Sequence, residues 1–206
     1  MKLTLTLNHR RHLMNKMLAI AFTFLCTTAT AFAQTPFTDP RDGKEYKAVK
    51  IGEQIWLAEN LNYYAEGSKC YDNKPENCEK YGRLYNWETA KNICPSDWHL
   101  PSENEWKALD KALGVDLNAA GSVYVAGKEL AEKKLKAKSG WDKGNGTDDY
   151  GFSALPGGYG LSDGRFGLAG KNSHWWSKDR YRTINQSYWS DDYLKSLLFS
   201  VRCIKD

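Results

Sequence analysis

Cys94-Pro95-Ser96-Asp97-Trp98-His99-Leu100-Pro101-Ser102-Glu103-Asn104-Glu105-Trp106 is the stretch on which the fold turns. It closes one helix and opens another. Pro95 has no backbone N–H and clashes with the preceding turn, so it stops whatever helix runs into it. Asn86 can N-cap such a helix from Trp87 to Ile93, with Trp87, Ala90 and Ile93 on one face. Downstream, Ser102 and Glu105 have capping-box spacing, in which each side chain satisfies an orphan amide of the first turn. Trp106, Leu109, Ala112 and Leu113 line the buried face of this second helix. Gly114 is a fitting stop.

Upstream, Lys44 to Ile51 alternates imperfectly, turning Tyr46, Ala48 or Val49, and Ile51 inward. Gly52-Glu53 separates it from Gln54-Ile55-Trp56-Leu57, which predicts a β-hairpin. Residues 34–43 hold two prolines and form an extended leader; residues 62–82 form a loop. Downstream, residues 114–127 read as loop and Lys128 to Lys138 as a third, short helix. Beyond Trp141 no helical period survives. Short strands at Phe152–Leu155, Arg165–Leu168, Trp175–Ser177, Ser187–Ser190 and Leu197–Cys203 fit best. The class is α+β. Residues 44–206 show no internal repeat and no linker, so they make one domain.

The chain has 206 residues, 29 basic and 25 acidic, for a formal charge of +4. Position undoes the nucleic-acid reading that this charge invites. Lys2, Arg10, Arg11 and Lys16 lie in the first 33 residues, which hold no Asp or Glu. Without those four, 25 basic residues face 25 acidic ones, and the body lacks the basic field that phosphate neutralisation needs. The same first 33 residues carry an apolar run, Met17 to Cys26, too short for a bilayer that needs about 20 residues. Ala31-Phe32-Ala33 follows. This is the layout of a secretory signal peptide over residues 1–33, cleaved between Ala33 and Gln34, for a protein released or held at the cell surface with no other membrane-length run.

Loss of that segment leaves Cys70, Cys78, Cys94 and Cys203. Four cysteines in an exported chain suggest two disulfides, with three connectivities open. Cys70 and Cys78 bracket a polar, turn-rich loop that suits a local bridge. That pairing leaves Cys94 for Cys203, joining an early helix to the last strand. With no CxxC pair and only His99 and His174 beyond residue 33, a zinc site is a poor fit.

Several blocks carry a family resemblance in the right order. They are Val49-Lys50-Ile51-Gly52-Glu53-Gln54-Ile55-Trp56-Leu57-Ala58-Glu59-Asn60-Leu61, Tyr81-Gly82-Arg83-Leu84-Tyr85-Asn86-Trp87, the Cys94 to Ser102 segment, Asn145 to Tyr159, Trp175-Trp176-Ser177, and Ser200-Val201-Arg202-Cys203. Over about residues 38–206 the chain resembles the Fibrobacter succinogenes major paralogous domain, a family of secreted bacterial proteins. The resemblance implies a C-type-lectin-like fold, shared with formylglycine-generating enzymes: two helices flanking a mixed, mainly antiparallel sheet with long irregular loops. It also implies a long disulfide from the first helix to the final strand, in agreement with Cys94–Cys203. One departure is visible. After Gly157-Gly158-Tyr159 the pattern wants a basic residue, and this chain has Gly160.

The candidate ligand residues are Tyr159, Trp175, Trp176, Tyr188 and Trp189, with Arg165. Aromatic rings stack on the apolar faces of sugars, although buried Trp rings also fill small cores. Asp148, Asp149, Asp191 and Asp192 are candidate calcium ligands, since calcium takes several carboxylate and carbonyl oxygens; as turn caps they have an equally ordinary role. No nucleophile elbow, HExxH or phosphate loop is present. The expected function is a secreted, non-catalytic module that binds a polysaccharide or a cell-surface protein, with calcium as the one candidate cofactor. The alternatives are an exported enzyme, a polysaccharide hydrolase or formylglycine-generating-like oxidase, and a structural or adhesive surface protein.

Overall fold

The computed structural model describes residues 35–185 and 197–206. The expected cleavage site Ala33–Gln34, the strand Ser187–Ser190, and Tyr188, Trp189, Asp191 and Asp192 lie outside the described residues.

The hairpin forms as expected, from β2 (Glu45–Ile51) and β3 (Gln54–Leu57), with Val49 opposite Trp56. The leader is more than extended. Residues Thr35–Thr38 form β1, antiparallel to β2. With β4 (Trp98–His99) and β10 (Ile204–Lys205) these strands make an antiparallel sheet in the order β1-β2-β3-β10-β4. The uneven alternation in β2 now has a cause. Tyr46 and Ala48 enter one apolar cluster with Leu57, Tyr85, Trp176 and Phe199. Val49 and Ile51 enter another, with Trp56, Trp106, Leu109 and Phe152. Both faces of the strand are covered, so both parities carry apolar residues.

The described residues contain four α-helices. α1 (Pro75–Tyr81) lies inside the expected 62–82 loop, after a 3-10 turn at Tyr71–Asn73. Pro75 occupies its first turn, where a missing N–H costs nothing. α2 (Trp87–Ala90) is shorter than expected, with Asn86 Oδ1 accepting from the Thr89 amide. α3 (Glu103–Ala112) carries the expected capping box, and Trp106 and Leu109 are buried. α4 (Gly121–Leu135) starts well before Lys128, inside the stretch expected as loop. Only Ala131 and Leu135 of α4 are buried. It is held largely by polar ties, Lys128 Nζ to Asp110 Oδ2 at 2.8 Å and Lys134 Nζ to the Leu113 carbonyl at 2.8 Å. That is why it shows no clear apolar period.

The second sheet runs β6 (Phe166–Ala169), β5 (Gly157–Leu161), β7 (Ser173–Trp176), β8 (Tyr181–Ile184), with β9 (Leu197–Leu198) also on β5. Its pairs are antiparallel except β5 with β7. β5 is glycine-rich, which hides it from a propensity reading. At Gly158 the backbone has φ +66 and a side chain would run into the backbone of β6. Phe152–Leu155 is not a strand; only Ala154 bridges, to Lys136.

Both disulfides form, Cys70–Cys78 and Cys94–Cys203. The first bridges the 3-10 turn's flank to α1. Cys94 lies past the end of α2 rather than within a helix, and Cys203 directly precedes β10. Among the described residues no helix is long and apolar enough to cross a membrane.

Candidate functional site

After β3 the chain turns through Ala58-Glu59-Asn60-Leu61, pinned by Leu57 N–H to the Cys203 carbonyl and Leu61 N–H to the Val201 carbonyl. This ladder sets Asn60 beside Arg202. Asn60 is buried, and its amide is a hub. Its Oδ1 accepts from Trp175 Nε1 at 2.8 Å, Arg202 Nη2 at 2.7 Å and Arg202 Nε at 3.1 Å. Its Nδ2 donates to the Tyr81 carbonyl at 2.8 Å and to Ser200 Oγ at 3.2 Å. Arg202 Nη1 donates to the Phe152 carbonyl, and the guanidinium lies 4.4 Å from the centre of the Phe152 ring.

Arg202 is only 1% exposed. Its acceptors are neutral oxygens. Burial pushes its pKa down to about 9, with Glu59 and Asp148 opposing that at longer range; the group is still a cation at neutral pH. A cation held this way without a paired carboxylate is rare, because desolvation costs several kcal/mol.

Arg202 and Asn60 form part of the wall of an open cleft of about 440 Å³. Lys44 reaches it from just before β2, Glu45 and Lys47 from β2, Glu59 and Asn62 from the segment after β3, and Glu79 and Lys80 from α1. Gly82 closes α1 against Asn60 with φ +75; a Cβ there would sit 2.7 Å from Asn60 Cβ. Lys44 Nζ meets Glu79 Oε1 at 3.4 Å, and Glu59 Oε2 accepts from the Lys47 amide at 2.9 Å. The rim therefore alternates donors and acceptors above a fixed cationic floor.

The expected aromatic site is not one site. Trp175 and Trp176 are 1% and 2% exposed, so neither ring can stack on a sugar. Trp175 Nε1 is bound by Asn60, and Trp176 Nε1 donates to the Tyr85 carbonyl at 2.6 Å. Their burial follows from their position in a strand covered on both sides. Tyr159 is half-buried, edge-on to His174. Arg165 is exposed at the β5–β6 turn and pairs with Asp163. Gly160, where a base was expected, packs on Phe166 and Leu198.

The calcium reading does not fit the described residues. Both carboxylate oxygens of Asp148 are taken by Ser153, Oδ1 by its amide and Oδ2 by its hydroxyl, each at 2.7 Å. Asp148 is thus a loop cap. Asp149 is exposed, and no group of three or more His, Cys, Asp or Glu among the described residues could hold a metal ion.

Two polar clusters escaped the sequence reading. Asp110 is buried between Arg182, held through both carboxylate oxygens at 2.9 and 3.0 Å, and Lys128. Nearby Glu132 is pushed up by burial, which outweighs the pull of Arg182 and Lys128. Lys128 is pushed down by burial and by Arg182, against Asp110. Elsewhere His99 lies between two carboxylates, Nε2 at 2.6 Å from Glu105 Oε1 and Nδ1 on Asp206.

The family model for the Fibrobacter succinogenes major domain matches residues 49–205. The chain belongs to that family. The match takes in the Asn60 turn, α1, both disulfides and Arg202, so the whole cleft except its Lys44, Glu45, Tyr46 and Lys47 edge falls within the Fibrobacter succinogenes major domain. No curated protein and no solved structure matches the chain.

Proposed function

We propose that this chain is an exported, non-catalytic binding module on a C-type-lectin-like scaffold, and that the Arg202 cleft is where it binds. The observation that carries this reading is the cleft itself, an open groove with an alternating polar rim over a rigid floor. Such alternation suits a polyhydroxylated ligand, because hydroxyls both donate and accept. The two disulfides support an oxidising compartment, as does the apolar run before Ala33. The long Cys94–Cys203 bridge and the shared sheet of β1 and β10 support the scaffold assignment. Since Cys70, Cys78, Cys94 and Cys203 are all bonded, the oxidase alternative lacks a thiol among the described residues.

The test is a polysaccharide and glycan screen of the purified protein with calcium and with chelator. Binding that survives chelation and is lost when the exposed rim residue Lys80 is replaced by Trp supports the cleft. Binding that needs calcium and ignores Lys80→Trp contradicts it.

A further inference from the structure

Arg202 has five N–H groups to satisfy. Nε and Nη2 each give one to Asn60 Oδ1, and Nη1 gives one to the Phe152 carbonyl. One N–H on each terminal nitrogen has no acceptor among the described residues. No carboxylate of those residues pairs with it; Glu59 and Asp148 act only at longer range. Elsewhere in the same molecule a half-buried guanidinium is treated differently: Arg182 is clamped through both oxygens of Asp110. Among the described residues Arg182 thus has a bonded countercharge and Arg202 has none, and Arg202 lines the open cleft of about 440 Å³.

We propose that the missing countercharge belongs to the ligand, and that the cleft selects a hydroxylated carboxylate, the uronic-acid unit of an acidic polysaccharide. This rests on the reading of the cleft as the ligand site. One feature of the lining tells against an acidic peptide. β2, the strand at the rim, is paired on both sides by β1 and β3, so it offers no edge for a peptide strand. Lys, Glu and Asn line the cleft together with Tyr46, Tyr81, Ala137 and Leu155, a mix of polar and apolar surface that suits a hydroxylated ring. The rim charges do not decide the sign of the ligand. Lys44, Lys47 and Lys80 stand against Glu45, Glu59 and Glu79, and exposed charges are screened by salt. The floor cation is screened far less, so its field sets the preference.

The experiment is an NMR titration of the full chain, with arginine side chains labelled, using D-glucuronate, D-glucose and acetate. D-glucuronate is expected to move the Arg202 Nε–H resonance and the amides of residues 44–47, 59–62 and 79–82. It should bind about tenfold tighter than D-glucose, the difference expected for one hydrogen-bonded charge, and tighter than acetate, which lacks the hydroxyls. Arg202 variants endanger the Asn60 hub, so the companion variant is the exposed rim change Lys47→Glu. It should weaken D-glucuronate about threefold through added like charge and leave D-glucose unchanged. If D-glucose moves the cleft amides and D-glucuronate binds no tighter, or binds tighter with Arg202 unmoved, the carboxylate inference fails and the cleft remains a ligand site. Acetate binding as tightly as D-glucuronate overturns the sugar part. If neither sugar moves a cleft amide, the cleft reading falls as well.

Discussion

Asn60 is where a single atom carries the most structure. Its Oδ1 receives three donors from Trp175 and Arg202. Removal of that oxygen leaves a buried indole N–H without its acceptor and a buried cation with the Phe152 carbonyl but neither of its bonds to Asn60. Asn60→Ala should therefore cost about 3–5 kcal/mol, the range for a buried charge stripped of its partner. The measurement is chemical denaturation with the slope held constant. Gly82→Ala should cost about 1–3 kcal/mol, because it forces a left-handed φ and a contact with Asn60 at the same time. Neither residue announces itself in the sequence. Asn60 reads as a turn residue, and the clue to Arg202 is only its place inside a final run, Leu197 to Ile204, that is otherwise apolar except for Ser200. A buried arginine is recognised by what surrounds it, which is a property of the fold. Trp175 and Trp176 fail in the opposite direction. A sequence shows that a ring is present and not which way it faces.

At the scale of elements, α3 was legible and α4 was not. The S-x-x-E spacing at Ser102 and Glu105 is a local rule, and it held: Glu105 Oε2 accepts from the Ser102 amide at 2.7 Å. The same carboxylate sets a pH dependence. Burial pushes the Glu105 carboxyl up, but bonds from Ser102 and His99 outweigh it and hold it below its usual value. A depressed carboxylate stabilises the fold above its unfolded pKa, and that stability is lost as pH falls through the folded value. The stability difference between the unmodified protein and Glu105→Gln should thus be present at pH 7 and vanish in acid. A difference that grows in acid would contradict this. α4 escaped because Lys128 and Lys134 hold it by bonds to Asp110 and the Leu113 carbonyl, and charged residues spread around a helix leave no stripe to read. Asp110→Ala should take from Lys128 and Arg182 the carboxylate they bond, leaving Glu132 at longer range, and cost about 3–5 kcal/mol. Asp110→Ala within 1 kcal/mol of the unmodified protein, by the same denaturation, would show the cluster to be solvated.

For the molecule as a whole, the cysteine pairs and the hairpin frame were readable because both follow short-range or counting rules. In the second sheet β6, β7 and β9 overlap the strands expected at Arg165–Leu168, Trp175–Ser177 and Leu197–Cys203, while β8 and the glycine-rich β5 were hidden. The two staples differ in reach. Cys94–Cys203 spans 109 residues and Cys70–Cys78 spans 8. Chain entropy assigns about 4–5 kcal/mol to the long loop and about 2–3 to the short one. Paired Cys94→Ala/Cys203→Ala should lower the melting temperature more than Cys70→Ala/Cys78→Ala. The short staple fixes α1, one wall of the cleft, so its loss should weaken ligand binding more than its small effect on stability suggests.

The cleft as an acid-reading ligand site is the claim on which function rests, and a crystal structure of the protein soaked in D-glucuronate tests it most directly. The account predicts the sugar in the cleft between β2 and α1, its carboxylate turned toward Arg202 and its hydroxyls on the Lys and Glu rim. A sugar bound on another face of the molecule, or one in the cleft with its carboxylate turned out to solvent, would contradict it.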